Sequence, residues 1–202
     1  MKRIACALLL FAAALVAGCT HYHYVNAQGW VTLIDGTTGM ENFDVSGSPA
    51  KWQATDGAIW ADGPAPKGGA SVLVTKKTYK DFELHVEFYA GHDTNSGIYI
   101  RAPNPKQVNT ASGAYEVQIW DKNPNPAYGT GSLVNVAQVQ PIYKAGGRWN
   151  LYEIHAQGPN ITVRLNGQVT VYAVNSKSLQ GRIGIQFNGG PIKVRKMLIK
   201  EL

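Results

Sequence analysis

From Gly29 onward, apolar and polar residues alternate with a period of two in short runs. Phe82, Leu84, Val86 and Phe88 interleave with Glu83, His85, Glu87 and Tyr89. This predicts a half-buried strand, because successive side chains of a strand point to opposite faces. Ile98 and Ile100 alternate in the same way with Tyr99 and Arg101, and 151–157, 161–165, 169–174, 183–187 and 192–199 add further strands. Gly, Pro and Asn separate the runs, and Asn166-Gly167 is the strongest hairpin signal in the chain. No segment carries a helical period of useful length. The pattern predicts one all-β domain, a two-sheet antiparallel sandwich or jelly roll over residues 29–202, with no internal repeat. Two loops, 62–69 and 122–130, are long enough to be functional rims rather than minimal turns.

The run Tyr115-Glu116-Val117-Gln118-Ile119-Trp120-Asp121 carries the most chemistry. As a strand it sends Tyr115, Val117 and Ile119 into a core and sets Glu116, Gln118 and Trp120 in a row on the other face. An acid, an amide and an indole together suit a polyhydroxylated ligand, through hydrogen bonds to hydroxyls and an aromatic plate against C–H surface. A merely half-solvated strand has the same pattern. Asp121 lies at odd spacing from Glu116 and belongs to the loop mouth.

The N-terminus changes the picture of the ends. Lys2 and Arg3 precede an apolar stretch, 4–17, too short to span a bilayer, which closes on Leu15-Val16-Ala17-Gly18-Cys19. This resembles a bacterial lipobox, so residues 1–18 read as a lipoprotein signal, Cys19 as the lipidation site and 19–28 as a tether. Acylation by more than one chain would suffice for stable anchoring. Thr20 after the cysteine favours the outer membrane of a Gram-negative cell. Cys6 leaves with the signal and Cys19 carries lipid, so the domain has no disulfide and relies on its core. Removing Lys2 and Arg3 takes the formal charge from +6 to +4. The remaining cations are scattered, so nucleic acid is not an expected partner.

Several constellations are missing: a glycine-rich phosphate loop, a paired-cysteine zinc site and a Gly-x-Ser-x-Gly elbow. His85 and His155 lie on strands and read as satisfied or solvent-facing. No ligand spacing supports a metal, and a divalent metal is left open. Asn95-Ser96-Gly97 leads into the strand carrying Tyr99 and Arg101. Arg101 can fork onto a substrate's oxygens or onto a carboxylate such as Glu116. Trp149-Asn150 with Glu153, and later Gln186, repeat the combination of aromatic, amide and acid.

Taken in order, these residues resemble the 3-keto-disaccharide hydrolase domain family, a jelly roll of the concanavalin/laminin-G type. The resemblance rests on Gly29-Trp30-Val31-Thr32-Leu33-Ile34-Asp35-Gly36, Asp81-Phe82-Glu83-Leu84, Asn95-Ser96-Gly97-Ile98 with Arg101, and Tyr115 to Asp121. Trp149-Asn150 with Glu153-Ile154, Leu165-Asn166-Gly167 and Ile183-Gly184-Ile185-Gln186 complete it. There are departures. Gly131-Ser132-Leu133 is followed by Val134 rather than Tyr. Gln186-Phe187-Asn188-Gly189 replaces a Gln-x-His-Gly, removing a candidate ligand or proton carrier, and Val194-Arg195-Lys196 stands where the family has Phe-Arg-Asn.

The resemblance implies cleavage of a 3-keto-glycoside. A ketone at C3 acidifies the C2 proton, a base removes it, the enolate expels the C1 substituent, and water adds back. The expected base is Glu116, with Arg101 and Gln118, or a bound cation, at the enolate oxygen. Asp121 or Glu153 would be the second acid and Trp120 and Trp149 stacking surfaces, with Asn95, Asn150 and Gln186 as further substrate contacts. Two other readings stand beside it: a carbohydrate-binding module without chemistry, since one fold hosts both, and a purely structural lipoprotein. A retaining glycosidase is the weakest, lacking a closely spaced acidic pair on one strand face.

Overall fold

The computed structural model describes residues 28–202. The expected signal 1–18, lipidated Cys19 and all but the last residue of the tether 19–28 lie outside the described residues. Thirteen strands are described: β1 (Val31–Asp35), β2 (Phe43–Gly47), β3 (Gln53–Thr55), β4 (Ala58–Ala61), β5 (Ser71–Thr75), β6 (Phe82–Ala90), β7 (Ser96–Ala102), β8 (Tyr115–Ile119), β9 (Arg148–Gln157), β10 (Asn160–Leu165), β11 (Gln168–Val174), β12 (Arg182–Phe187) and β13 (Ile192–Glu201). Short 3-10 turns at Met40–Asn42 and Pro126–Tyr128 are the helical segments among the described residues. The alternation thus located the strands from β6 onward. The short strands β1 to β5 carry too few residues each to show a period.

The strands form two antiparallel sheets, the predicted sandwich. An eight-stranded sheet has the order β11-β10-β9-β6-β13-β4-β3, with β1 also paired to β13, and a five-stranded sheet has the order β2-β5-β12-β7-β8. Alternation is clearest where one face is wet. Phe82, Leu84, Val86 and Phe88 of β6 are fully buried, while Glu83, His85, Glu87 and Tyr89 are half-buried on the outer face. They meet Ile98, Ile100, Val117, Ile119, Ile183 and Ile185 from the other sheet in one core. Each such side chain contributes about 1.5–3 kcal/mol by leaving water. Asn166 and Gly167 both take positive φ, 52° and 82°, in the β10–β11 hairpin, as the tight turn requires.

The five-stranded sheet is different: β5, β7 and β8 are buried on both faces. Loop 103–114 covers part of its outer face, packing Val108 and Ala114 with Val72, Val74, Tyr99 and Ala102. Loop 62–69 stands beside the β12–β13 turn, where Gly190 N donates to Gly63 O at 2.9 Å. Segment 131–134 runs along the free edge of β8, with Gln118 N donating to Ser132 O and Val134 N to Glu116 O, each at 3.0 Å. That pairing protects an otherwise open edge.

Candidate active site

Glu116 and Gln118 (β8) lie on the outer face of the five-stranded sheet, opposite Tyr115, Val117 and Ile119 in the core, as the alternation predicts. Register sets their neighbours: Tyr99 pairs with Glu116, Gly97 with Gln118 and Gln186 with Gly97. Gly97 is decisive, because a Cβ there would stand 2.9 Å from both Cγ and Oε1 of Glu116. Lacking one, β7 lets the Glu116 carboxylate lean across it towards β12. Gln186 Nε2 donates to Glu116 Oε1 at 3.1 Å and to the Tyr99 hydroxyl at 2.6 Å, and Tyr99 also hydrogen-bonds Glu116. Gln118 Oε1 accepts from Ile119 N at 3.1 Å, leaving its amide nitrogen as a donor at this end of the row.

The electrostatics follow from burial. Glu116 is 7% exposed, with Gln118 and Gln186 at 5%. Desolvation lifts the Glu116 carboxyl from 4.5 to about 7, with the hydrogen bonds from Tyr99 and Gln186 pulling partly back. Burial, and then the Glu116 charge, raise the Tyr99 phenol, which stays a proton donor. A carboxyl poised near neutrality amid hydrogen-bonding groups can take a proton from carbon and return it to oxygen.

The expected site residues divide. Gln118 and Gln186 share the face with Glu116. Trp120 follows the same alternation half-buried beyond the end of β8, and Asn95 precedes β7 beside β12, its N donating to Gly189 O at 2.9 Å. The others stand apart. Arg101 is fully buried and aimed elsewhere: Nε donates to Lys80 O at 2.9 Å, Nη1 to Gly158 O at 2.6 Å and Nη2 to Asp81 Oδ1 at 3.1 Å. A bulge causes this. The register shifts between Arg182 and Gly184, and Arg101 takes φ 51°, so the parity that would place it beside Tyr99 is broken.

Asp121 anchors loops. Its carboxylate accepts from Thr130 Oγ1 at 2.6 Å, Ala145 N at 3.0 Å and Gly146 N at 2.8 Å. Glu153 and Trp149 lie on the outer face of the other sheet. Glu153 is 4.0 Å from His85 Nε2, and Trp149 has Tyr89 against its edge at 5.9 Å and Arg195 over its ring at 4.4 Å. Asn150 is buried between the sheets, donating to Ala145 O and Arg148 O and accepting from Asn166 Nδ2. His85 and His155 are half-exposed on strands against Glu153 and Glu83, as expected.

Three contributors escape the sequence reading. Strand parity puts Tyr99 on the right face and says nothing of its role. The space at Gly97 shows only once register is known, and loop 103–114 carries Pro103 and Pro105 but no signal of the sheet face that it covers. Among the described residues, no group of three or more His, Cys, Asp or Glu side chains is placed to hold a metal ion. Around Glu116 the outer face presents amides and the Tyr99 phenol, and the other carboxylate of its row, Asp44, stands four strands away on β2.

A two-sheet jelly roll with a buried carboxylate, two amides and a phenol on one sheet face defines a domain of the glycosyl hydrolase-like or carbohydrate-binding class. The chain belongs to the 3-keto-alpha-glucoside-1,2-lyase-like domain family, whose model matches residues 29–200. It is 33% identical over 84 residues to a 3-keto-disaccharide hydrolase from Bacteroides thetaiotaomicron, a match covering 39% of this chain and 29% of that protein. A structure from Parabacteroides distasonis ATCC 8503, provisionally described as a glycosyl hydrolase, superposes with a TM-score of 0.72 at 20% identity, covering 87% of this chain and 95% of that one. The carbohydrate-binding module CBM66 from Bacillus subtilis shares the fold, with a TM-score of 0.58 at 12% identity over 86% and 96% of the two chains.

Proposed function

We propose that the protein is an exported, lipid-anchored enzyme that cleaves 3-keto-glycosides, with Glu116 as its base. The observation that carries this reading is a buried carboxyl near neutral pKa, held over Gly97 by Tyr99 and Gln186. Glu116 takes the C2 proton of the keto sugar. The electron pair moves into the C2–C3 bond and the negative charge onto the C3 oxygen, where Tyr99 O–H and the Gln118 amide are the donors at hand. The enolate re-forms the ketone while the C1–O bond breaks, leaving a C1–C2 double bond. The departing oxygen takes a proton, which Glu116 can return, since it holds the one taken from C2. Water then adds its oxygen to C1 and a proton to C2, completing hydrolysis.

Incubation with glucosides and their 3-keto derivatives, with and without chelator, tests the reading. Release of the aglycone from the 3-keto compounds alone is expected, and Glu116→Gln should lower turnover by about 10² to 10⁴. Cleavage of the parent glucosides, or full activity of Glu116→Gln, overturns it. A binding module is the second reading, favoured by one observation: Asp121 and Glu153 do not join Glu116, so it has no second acid beside it. It predicts saturable glycan binding without product.

A further inference from the structure

The outer face of the eight-stranded sheet carries an aromatic row of its own. Gln53 pairs with Trp60, Trp60 with Lys193, Lys193 with Tyr89 and Tyr89 with Trp149, across β3, β4, β13, β6 and β9. Directly paired residues of antiparallel strands share a face, and all five are half-buried or exposed. Trp60 and Trp149 stand three strand steps apart, about 14 Å at the usual spacing. On β6 the outward positions before Tyr89 are Glu83, His85 and Glu87, so its aromatic side chain comes where the row crosses.

The rings are held in place. Trp60 Nε1 donates to Thr55 Oγ1 at 3.1 Å, and Lys193 Nζ lies 5.4 Å over the Trp60 ring. Trp149 is fixed between Tyr89 and Arg195, whose Nε donates to Glu87 Oε2 at 2.7 Å. The row opens into a pocket of about 330 Å³ lined by Asp62, Tyr89, Trp149, Pro191 and Lys193. Asp62 opens loop 62–69, which is thereby a rim of this pocket. Lys193 and Asp62 offset one another there and Arg195 is paired to Glu87, so these groups carry no net charge to draw an anionic polymer or a bilayer. Aromatic plates beside one acceptor carboxylate and one donor ammonium suit the C–H faces and hydroxyls of a neutral sugar chain.

We propose that this row is a separate glycan-binding site, which holds a neutral polysaccharide chain across β4, β13, β6 and β9. Trp60 and Trp149 are its stacking plates, Tyr89 lies between them, and Asp62 and Lys193 hydrogen-bond ring hydroxyls. The core separates this face from the one bearing Glu116, so the chain can be gripped while that face stays free. The site needs no chemistry, and it stands whether or not the 3-keto-glycoside reading does.

Affinity electrophoresis of the full chain through gels containing amylose, arabinoxylan or hydroxyethylcellulose tests it. Wild type should be retarded by at least one of these neutral polysaccharides. Trp60→Ala and Trp149→Ala should each weaken that binding by about tenfold. Tyr172→Ala, which removes an exposed aromatic outside the row, should leave it unchanged. Trp60→Phe and Trp149→Phe keep a ring and should retain most of the binding, which separates loss of the plates from misfolding. Passage through all three gels without retardation overturns the site, as does retardation that survives both Trp→Ala changes. Binding to phosphatidylglycerol vesicles that the two Ala variants lose, with their polysaccharide binding intact, overturns it in favour of a membrane surface.

Discussion

Gly97 and Glu116 are partners through what one of them lacks. Gly97→Ala would drive a methyl group to 2.9 Å from the Glu116 side chain. Overpacking of this kind costs about 1–3 kcal/mol. The expected outcome is a lower urea midpoint together with lost turnover, because the carboxylate must leave its bonds to Gln186 and Tyr99. Glu116 also ties stability to pH. The folded protein keeps this proton up to about 7 and the unfolded chain releases it near 4.5, so the folded state binds more protons between those values. Stability from this group is therefore greatest below 4.5, falls as pH rises through 4.5–7 and stays lower above, by about 3 kcal/mol at 1.36 kcal/mol per unit. Urea unfolding at pH 5 and pH 8 should show that decline in wild type and not in Glu116→Gln. Catalysis runs the opposite way, since the base must be ionised: kcat/KM should rise with pH through about 7.

At the scale of elements, β7 shows how alternation can mislead. Period two correctly puts Tyr99 on the outer face of β7 and, continued one step, puts Arg101 there too. The bulge at Arg101 instead turns the guanidinium inward, where it ties the start of β6 to the β9–β10 turn through Asp81 and Gly158. Arg101→Leu should therefore act on stability, not on the site. Breaking a buried pair by removing one partner costs about 3–5 kcal/mol, and with Asp81 partly exposed the lower end is expected, read as a shifted urea midpoint with unchanged m. The same logic holds for Asp121, at the end of β8. Asp121→Ala should speed amide exchange in 122–147, because four hydrogen bonds from three donor groups to its carboxylate join those segments. The sequence leaves Arg101 open between a substrate contact and a carboxylate pair and puts Asp121 at a loop, but shows the partners of neither. The bulge is a property of strand pairing, and the Asp121 donors lie up to 25 positions away.

For the whole molecule, the sandwich separates residues that sequence motifs join. Glu116 faces outward from the five-stranded sheet and Glu153 outward from the eight-stranded one, with the core between them. Stacked sheets lie about 10 Å apart, and outward side chains add to that distance. Glu153→Gln should consequently leave cleavage of a 3-keto-glycoside within about twofold, measured beside Glu116→Gln. The sequence by itself determined the all-β class, the major strands from β6 onward, the Asn166-Gly167 hairpin and the family, because these depend on local periodicity, turn chemistry and ordered motifs. It also put Glu116 and Gln118 on one face, since strand parity is local. Which strands lie side by side was decided only in three dimensions. That choice brought Gln186 and Tyr99 to Glu116, used the space over Gly97, and sent Arg101, Asp121, Trp149, Asn150 and Glu153 to other places. Register and sheet order arise from the burial of two apolar faces against each other, and no short window of sequence contains both faces.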